Sequence, residues 1–476
     1  MAMSNLNILI MGAGEVGKGL ARRLSNEGHH VKIIDIKASV LADLETQLDV
    51  MGLEGNGASA SVLMEAGVGE ADLFIGVSDN DERNMLACAV AKRFGVKTTI
   101  ARVRSEEYIF PDRSHYADSM DIDLIINPDE VASLELYDLL ENPAATSVAD
   151  FAGGRLKLVG FPVRKDAPIA GLSLSEWPSL DLEGPILAAT VLRDQETFIP
   201  RGDDRLHVGD KIFIIAAPAS LDSVNAIGGV KERELKKVVM VGASRVSFFL
   251  AERLEKAGAR SIIIDKDEKR CQQFAEELND TTILLGDGRD VSILSEAGLS
   301  DTDGFIAASQ DDETNILAAL LAKERGAKRV ITLMRKPQYL PLLTHIKPID
   351  VAINPRLVTI NAIMRYVRKG KILSMATLAQ DQAEAIEYEM PSNSTLTGRP
   401  LKEGFMPRHT LLGAIIRGNE IIIPRGDDVL LPKDHVLIIA LKKAVKELDE
   451  LLEAKGLSNP FQRFFKKATT GMFFLP

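Results

Sequence analysis

The sequence predicts an α/β protein: two Rossmann-like domains, each a doubly wound parallel sheet, and each followed by a small α+β domain. Three observations carry this expectation. Apolar strand-like runs alternate with helical runs, a glycine-rich turn follows the first of them, and the pattern recurs later in the chain. Strands that alternate with helices pair in parallel, because the crossover helix brings the next strand back beside the first.

In the first part of the chain, strands are expected at residues 6–11, 31–35, 72–77 and 98–103, with helices at 15–26 and 81–94. After Asn142-Pro143 the pattern changes to short strands, at 155–163, 185–192 and 211–216, separated by Gly, Pro and Asp turns. The first Rossmann-like domain is therefore expected at 1–142 and the first small domain at 143–228, closed by Gly228-Gly229.

The remainder is a second copy. LNILIMGAGEVGKGLARRLSNEGHHVKIIDIK, from Leu6, lies on KKVVMVGASRVSFFLAERLEKAGARSIIIDKD, from Lys236, so Gly12 falls on Gly242 and Asp35 on Asp265. LEGNGAS, from Leu53, lies on LLGDGRD, from Leu284, and VSDNDERNMLACAVAKRFG, from Val77, on ASQDDETNILAALLAKERG, from Ala308. DLIINPDEV returns as DVAINPRLV, and IPRGDDRLHVGDKIFIIAAP as IPRGDDVLLPKDHVLIIALK. The second pair of domains is expected at 234–360 and 371–455, leaving a tail at 456–476.

Composition narrows the function. The chain has 476 residues, 46% of them hydrophobic, a formal charge of -11 and a pI near 5.4. That acidity argues against a nucleic-acid partner, which needs a basic footprint. Two cysteines, Cys88 and Cys271, suggest neither a disulfide framework nor a thiolate metal site, and hence a reducing cytoplasm. The first apolar run breaks at glycines after six residues and lacks a basic start, unlike a signal peptide, and no apolar stretch approaches the roughly 18 residues of a membrane span. A membrane role is expected to be peripheral.

The strongest local motif is Gly12-Ala13-Gly14-Glu15-Val16-Gly17, placed directly after a strand and opening a helix. Gly12 permits the tight turn, Gly14 lets a pyrophosphate approach the backbone, Gly17 lets helix and strand pack, and the helix N-terminus supplies oriented N–H groups. Asp35, at the end of the second strand, is placed to accept ribose hydroxyls and repels a 2′-phosphate, which favours NAD over NADP. The alternative is a scaffold that keeps its glycines for packing alone. A P-loop is rejected, because Gly19 stands where a Mg²⁺-binding Ser or Thr is required.

Ser78 and Asp79 follow the strand at 72–77 at its carboxyl end, where ligands of doubly wound sheets sit; a helix cap is the competing role. Arg102, near the end of the strand at 98–103, suits a phosphate or a base, against a surface ion pair. In the second copy the turn reads Gly242-Ala243-Ser244-Arg245-Val246-Ser247 and Leu333 stands at the Arg102 position, so cofactor binding there is doubtful. Asp265 survives, and Arg245 offers electrostatic compensation. The seven histidines show no metal-ligand spacing, GxSxG is absent, and the repeated Pro-Arg-Gly-Asp-Asp suits a turn better than carboxylate catalysis.

The tandem order of GAGEVG, Asp35, GNG, SDNDERN, IARVRS and INP, each copy followed by a small domain with a Gly209-Asp210-type turn, resembles the TrkA family of potassium-uptake regulators, with domains ordered RCK-N, RCK-C, RCK-N, RCK-C. The resemblance implies a cytosolic homo-oligomeric ring, peripheral on the inner face of the membrane beneath an integral potassium-translocating subunit of the TrkH/TrkG kind. It implies NAD(H) as cofactor, with ATP as an alternative, and no catalytic chemistry. Its nucleotide contacts map onto Gly12, Ala13, Gly14, Glu15, Val16, Asp35, Ser78, Asp79 and Arg102, and in the second copy onto Gly242 to Val246 and Asp265, where the missing glycines count against binding. An NAD-dependent dehydrogenase and a nucleotide sensor for another transporter are the competing readings.

Overall fold

A computed structural model describes residues 6–108, 113–180, 182–230, 234–339, 348–367, 372–379, 382–391, 394, 396–404, 406–418 and 420–453. The tail expected at 456–476 lies outside the described residues.

The first lobe runs β1 (Asn7–Met11), α1 (Glu15–Asn26), β2 (His30–Asp35), α2 (Ala38–Gln47), β3 (Met51–Glu54), α3 (Ala60–Glu65), β4 (Leu73–Gly76), α4 (Asp81–Arg93), β5 (Thr98–Arg102), α5 (Arg113–Met120), β6 (Leu124–Ile126) and α6 (Pro128–Glu141). Its sheet has the order β3-β2-β1-β4-β5-β6, parallel throughout. Residues 8–11 of β1 and all of β4 are buried, as expected of strands covered on both faces by helices. The strand order reverses between β1 and β4, and a cleft opens there at the carboxyl ends of the strands.

A first antiparallel domain follows: β7 (Ser147–Phe151), β8 (Leu156–Pro162), β9 (Ile186–Arg193), β10 (Glu196–Phe198), β11 (Lys211–Ala216) and α7 (Leu221–Ile227), with sheet order β10-β9-β11-β8-β7. The second lobe repeats the first as β12 (Lys237–Val241), α8 (Arg245–Lys256), β13 (Arg260–Asp265), α9 (Glu268–Glu277), β14 (Thr282–Leu285), α10 (Val291–Glu296), β15 (Gly304–Ala307), α11 (Asp312–Glu324), β16 (Arg329–Leu333), β17 (Val351–Ile353) and α12 (Pro355–Val367). Its sheet order is β14-β13-β12-β15-β16-β17. Helix α12 continues past residue 360. The last domain has β18 (Ile372–Leu378), β19 (Ala383–Glu389), β20 (Thr410–Arg417), β21 (Glu420–Ile422), β22 (His435–Leu441) and α13 (Lys442–Glu453), in the order β18-β19-β22-β20-β21. Position for position, this is the topology of the first small domain.

The chain divides into two compact units that sort the domains by kind. One holds the parallel-sheet lobes, within Asn5–Pro143 and Arg233–Val367, and the other holds the small domains. Inside the first unit the lobes exchange their last helices. Ile360, Ile363 and Met364 of α12 are at most 3% exposed in a core shared with Ile8, Leu20 and Leu24 of the first lobe. Gly19 on α1 makes room, because a Cβ there would collide with the Ile360 side chain. Helix α6 packs in turn against α8, and Arg253 of α8 lies 3.6 Å from Glu130.

In the unit of small domains, Phe151, Leu158, Phe213 and Ile215 of one sheet share a core with Ala383, Ala385, Leu437 and Ile439 of the other. Each domain carries the same clasp. Arg193 donates to both carboxylate oxygens of buried Asp210, at 2.8 and 2.7 Å, and Arg417 does so to Asp434, at 2.9 and 2.7 Å.

Candidate functional site

The turn after β1 is built around its glycines. Gly12 has φ +104°, and a Cβ on it would come within 2.7 Å of the Ser78 amide nitrogen. A Cβ on Gly17 would collide with the Gly12 carbonyl, whereas one on Gly14 would meet nothing within 4 Å. Gly12 and Gly17 thus answer to packing, while Gly14 faces open space. Gly14 is also the N-cap of α1 and offers no side chain to the helix's first N–H groups. These donors open onto a cleft of ≈ 400 Å³, a shape suited to anions.

Asp35 closes one side. Its Oδ2 accepts the Ala13 N–H at 2.7 Å and its Oδ1 the Lys37 N–H at 2.9 Å, so the carboxylate ties the glycine turn to the end of β2. Each oxygen keeps lone-pair capacity for a hydroxyl in the cleft. Exposed Ile36 adds an apolar wall beside it.

The opposite wall comes from the ends of β4 and β5. The cap of α4 is Asn80, whose Oδ1 accepts the Arg83 N–H at 2.7 Å, so neither Ser78 nor Asp79 serves as the helix cap; both line the cleft. Arg102 donates from Nη1 to the Ser78 carbonyl at 3.0 Å, and its buried Nε has no hydrogen-bond partner among the described residues. Burial foremost, then the Arg104 charge, pushes this guanidinium down to about 10, while Asp129, Asp81 and Asp79 oppose the shift. It stays cationic at neutral pH. The guanidinium is thus a largely desolvated cation that lines the cleft wall.

The cleft therefore gathers Gly12, Ala13, Gly14, Glu15, Val16, Asp35, Ser78, Asp79 and Arg102, together with residues that sequence reasoning missed: Asn56, Arg83, Arg104, Asp129, Arg356 and Thr359. Behind it, fully buried Asn84 accepts the Ser78 N–H and Oγ–H at 2.9 and 2.6 Å and donates to the Ser78 and Arg102 carbonyls at 3.1 and 2.8 Å. One amide thus fixes both strand ends. Asn315 makes the same four bonds in the second lobe, and an Asn repeated within an apolar helix face was the signal available for it.

The second lobe keeps the frame and changes the turn. Asp265 accepts the Ala243 N–H at 2.6 Å and the Asp267 N–H at 2.9 Å, as Asp35 does in its lobe. Ser244, in the place of Gly14, caps α8 by accepting the Ser247 N–H at 3.3 Å, and the Ser247 hydroxyl donates to the Gly242 carbonyl at 2.7 Å. Arg245 lies 4.1 Å over the Phe248 ring and 3.7 Å from Glu277. The cleft of ≈ 320 Å³ beside Asp265 is lined by Asp267, Asp287 and Asp311, with Arg289 donating to Asp287 at 2.7 Å.

Among the described residues no group of His, Cys, Asp and Glu is placed to hold a metal ion, and no helix is long and apolar enough to cross a membrane. Pro-Arg-Gly-Asp-Asp is a turn in both copies, with Asp204 accepting the Arg201 N–H and Asp428 the Arg425 N–H.

Comparison with known proteins agrees with this geometry. The TrkA-N domain model matches residues 8–128 and 238–355, and the TrkA-C domain model residues 158–227 and 385–453. A Trk system potassium uptake protein TrkA from Halomonas elongata is 34% identical over 94% of this chain and 99% of its own length. One from Haemophilus influenzae is 33% identical over 94% and 99%. Both relatives are potassium uptake proteins by name. Among solved structures, the GsuK RCK domain has TM-score 0.59 at 17% identity, covering 95% of this chain and 96% of its own. The GsuK channel bound to NAD has TM-score 0.60 at 18% identity, covering 95% and 80%. With both domain models matched twice and full-length relatives a third identical, the chain belongs to the TrkA family of Trk potassium uptake proteins.

Proposed function

We propose that the chain is the cytoplasmic, nucleotide-sensing regulatory subunit of a potassium-uptake system, peripheral on the inner membrane face and assembled as a homo-oligomeric ring beneath a potassium-translocating membrane protein. One observation supports this above the rest: the uncapped start of α1, the Asp35 carboxylate and the desolvated Arg102 converge on one cleft, and none of them is placed as a proton-transfer pair. NAD(H) fits this donor set. The amides from Gly12 to Val16 would take its pyrophosphate and Asp35 its adenosine ribose, while Ser78, Asp79 and Arg102 would bound the far side. The cofactor would act as an effector. The arginines of the cleft also suit a triphosphate, which makes ATP the competitor to measure.

Binding gates a pore only through the difference in affinity between two arrangements of the assembly. The direct experiment is co-purification with the potassium-translocating subunit followed by flux measured with and without NADH. Flux indifferent to nucleotide would overturn the regulatory reading. Calorimetry should show NADH preferred to NADPH, and Asp35→Ala should weaken NADH more than tenfold, about 1.4 kcal/mol. Equal affinity for the two cofactors would remove the role given to Asp35.

A further inference from the structure

The first-lobe cleft is completed by the second lobe. Pro355, Arg356 and Thr359, from the first turn and a half of α12, line it alongside the glycine turn of the first lobe. They arrive there because of the helix exchange: the face of α12 carrying Ile360 and Ile363 is buried against α1, which sets the start of α12 beside the start of α1. Arg356 Nη1 then lies 3.9 Å from Glu15 Oε2, and both side chains are about half exposed.

The charge arrangement has a direct reading. Glu15 is the first residue of α1, so its carboxylate sits at the positive end of that helix and beside a guanidinium. These are the two surroundings a nucleotide phosphate would seek. The duplicated position of Arg356 is Asp129, the duplicated position of Glu15 is Arg245, and no residue of α6 lines the second-lobe cleft among the described residues. A cation is contributed across the lobes in one direction only.

We propose that Arg356 is a phosphate-binding residue of the first-lobe site, supplied by the second lobe, and that Glu15 is its stand-in partner, displaced when the phosphates of a nucleotide bind. This rests on the nucleotide reading of the cleft. It adds that occupancy is felt by both lobes at once, because the ligand bridges α1 of one lobe and α12 of the other. Arg356 prefers phosphate to Glu15 because a diphosphate offers more charge and a bidentate acceptor.

The test is calorimetry on the full chain with two probes, NADH and adenosine, the second of which has the base and ribose but no phosphate. Arg356→Ala and Arg356→Met, the latter keeping an unbranched apolar stem over α1, should each weaken NADH about tenfold and leave adenosine within twofold of the native chain. Glu15→Gln should tighten NADH about threefold, and that gain should vanish when Arg356→Met is added. NADH binding within twofold of native in both Arg356 variants would overturn the proposal while leaving the nucleotide reading intact. An equal loss of NADH and adenosine would overturn it too, as general damage to the cleft. A native chain that binds neither probe would overturn the nucleotide reading and this proposal together.

Discussion

Gly14 and Gly17 stand three residues apart in one turn and answer to different neighbours. A Cβ on Gly17 meets the Gly12 carbonyl, and a Cβ on Gly14 meets only the cleft. With φ -71°, Gly14 also has a backbone any L-residue adopts. Gly14→Ala should therefore leave the melting midpoint within about 2 °C of native, yet lower NADH affinity at least tenfold by filling the phosphate approach. Gly17→Ala should lower the midpoint itself, since backbone must move to admit the methyl. Parallel melting and titration curves separate the two, and equal melting losses would show that both glycines serve packing. The motif alone could not make this distinction, because a GxGxxG string lists its glycines without their neighbours. Ser78 and Asp79 were open to two roles for the same reason. Their release from capping depends on Asn80 taking that position, a choice of one residue that no spacing rule makes.

At the scale of elements, the long periodic segments were legible and the short half-exposed ones were not. The helix expected at 15–26 and the strand at 211–216 are found at those bounds. Strand β3 was missed because its four residues, Met51–Glu54, show no fully buried position and hence no apolar run; β6 has only three residues. The Gly209-Asp210 turn was read as a turn, and the structure adds its electrostatic purpose. Burial alone would raise the Asp210 carboxyl, but the Arg193 hydrogen bonds, the His207 amide and the Arg193 charge outweigh burial and hold it below the ordinary range. Asp434 behaves likewise with Arg417. A carboxylate whose folded value is lowered contributes stability that is fully present above its unfolded value, about 3.9, and lost as pH falls through the folded one. The unit of small domains should thus weaken in acid below about pH 4. Trp177, the single tryptophan and 7% exposed, reports on the first small domain by fluorescence. Asp210→Asn should lower that domain's stability at pH 7 by about 3 kcal/mol, the low end for a pair with one partly exposed member, and flatten its acid dependence. A urea midpoint for the Trp177 signal that is unchanged at pH 7 would contradict the clasp.

At the scale of the whole molecule, duplication supplies two frames, each with a cleft at its carboxyl-end turn, whose linings differ. Ser244 caps α8 where Gly14 leaves α1 uncapped, Ser247 replaces Gly17, and Leu333 replaces Arg102. A titration of the full chain should find one strong NADH site per chain, and two equal tight sites would refute the asymmetry. One site bears on gating. Moving a pore from 1:99 to 99:1 open requires about 5.5 kcal/mol of differential binding, against a typical 1–3 kcal/mol of coupling at a single site. Several chains must then act together, which predicts a symmetric homo-oligomer in light scattering and a sigmoidal flux response to nucleotide when the membrane partner is present. A strict monomer at all concentrations would remove the ring and leave a simpler sensor.

The sequence by itself determined the fold class, the duplication and most of the first-lobe cleft, because each is written in local chemistry: periodicities of two and 3.6, a glycine turn after a strand, an acid at the next strand's end. Only the tertiary structure decided that like domains pack with like, that α12 leaves its own lobe to cover α1, and that Arg356 comes to lie beside Glu15. Those outcomes depend on which apolar face of one lobe fits the other. Side chains far apart in sequence settle that fit by shape, as Gly19 does for Ile360, and no local pattern records it.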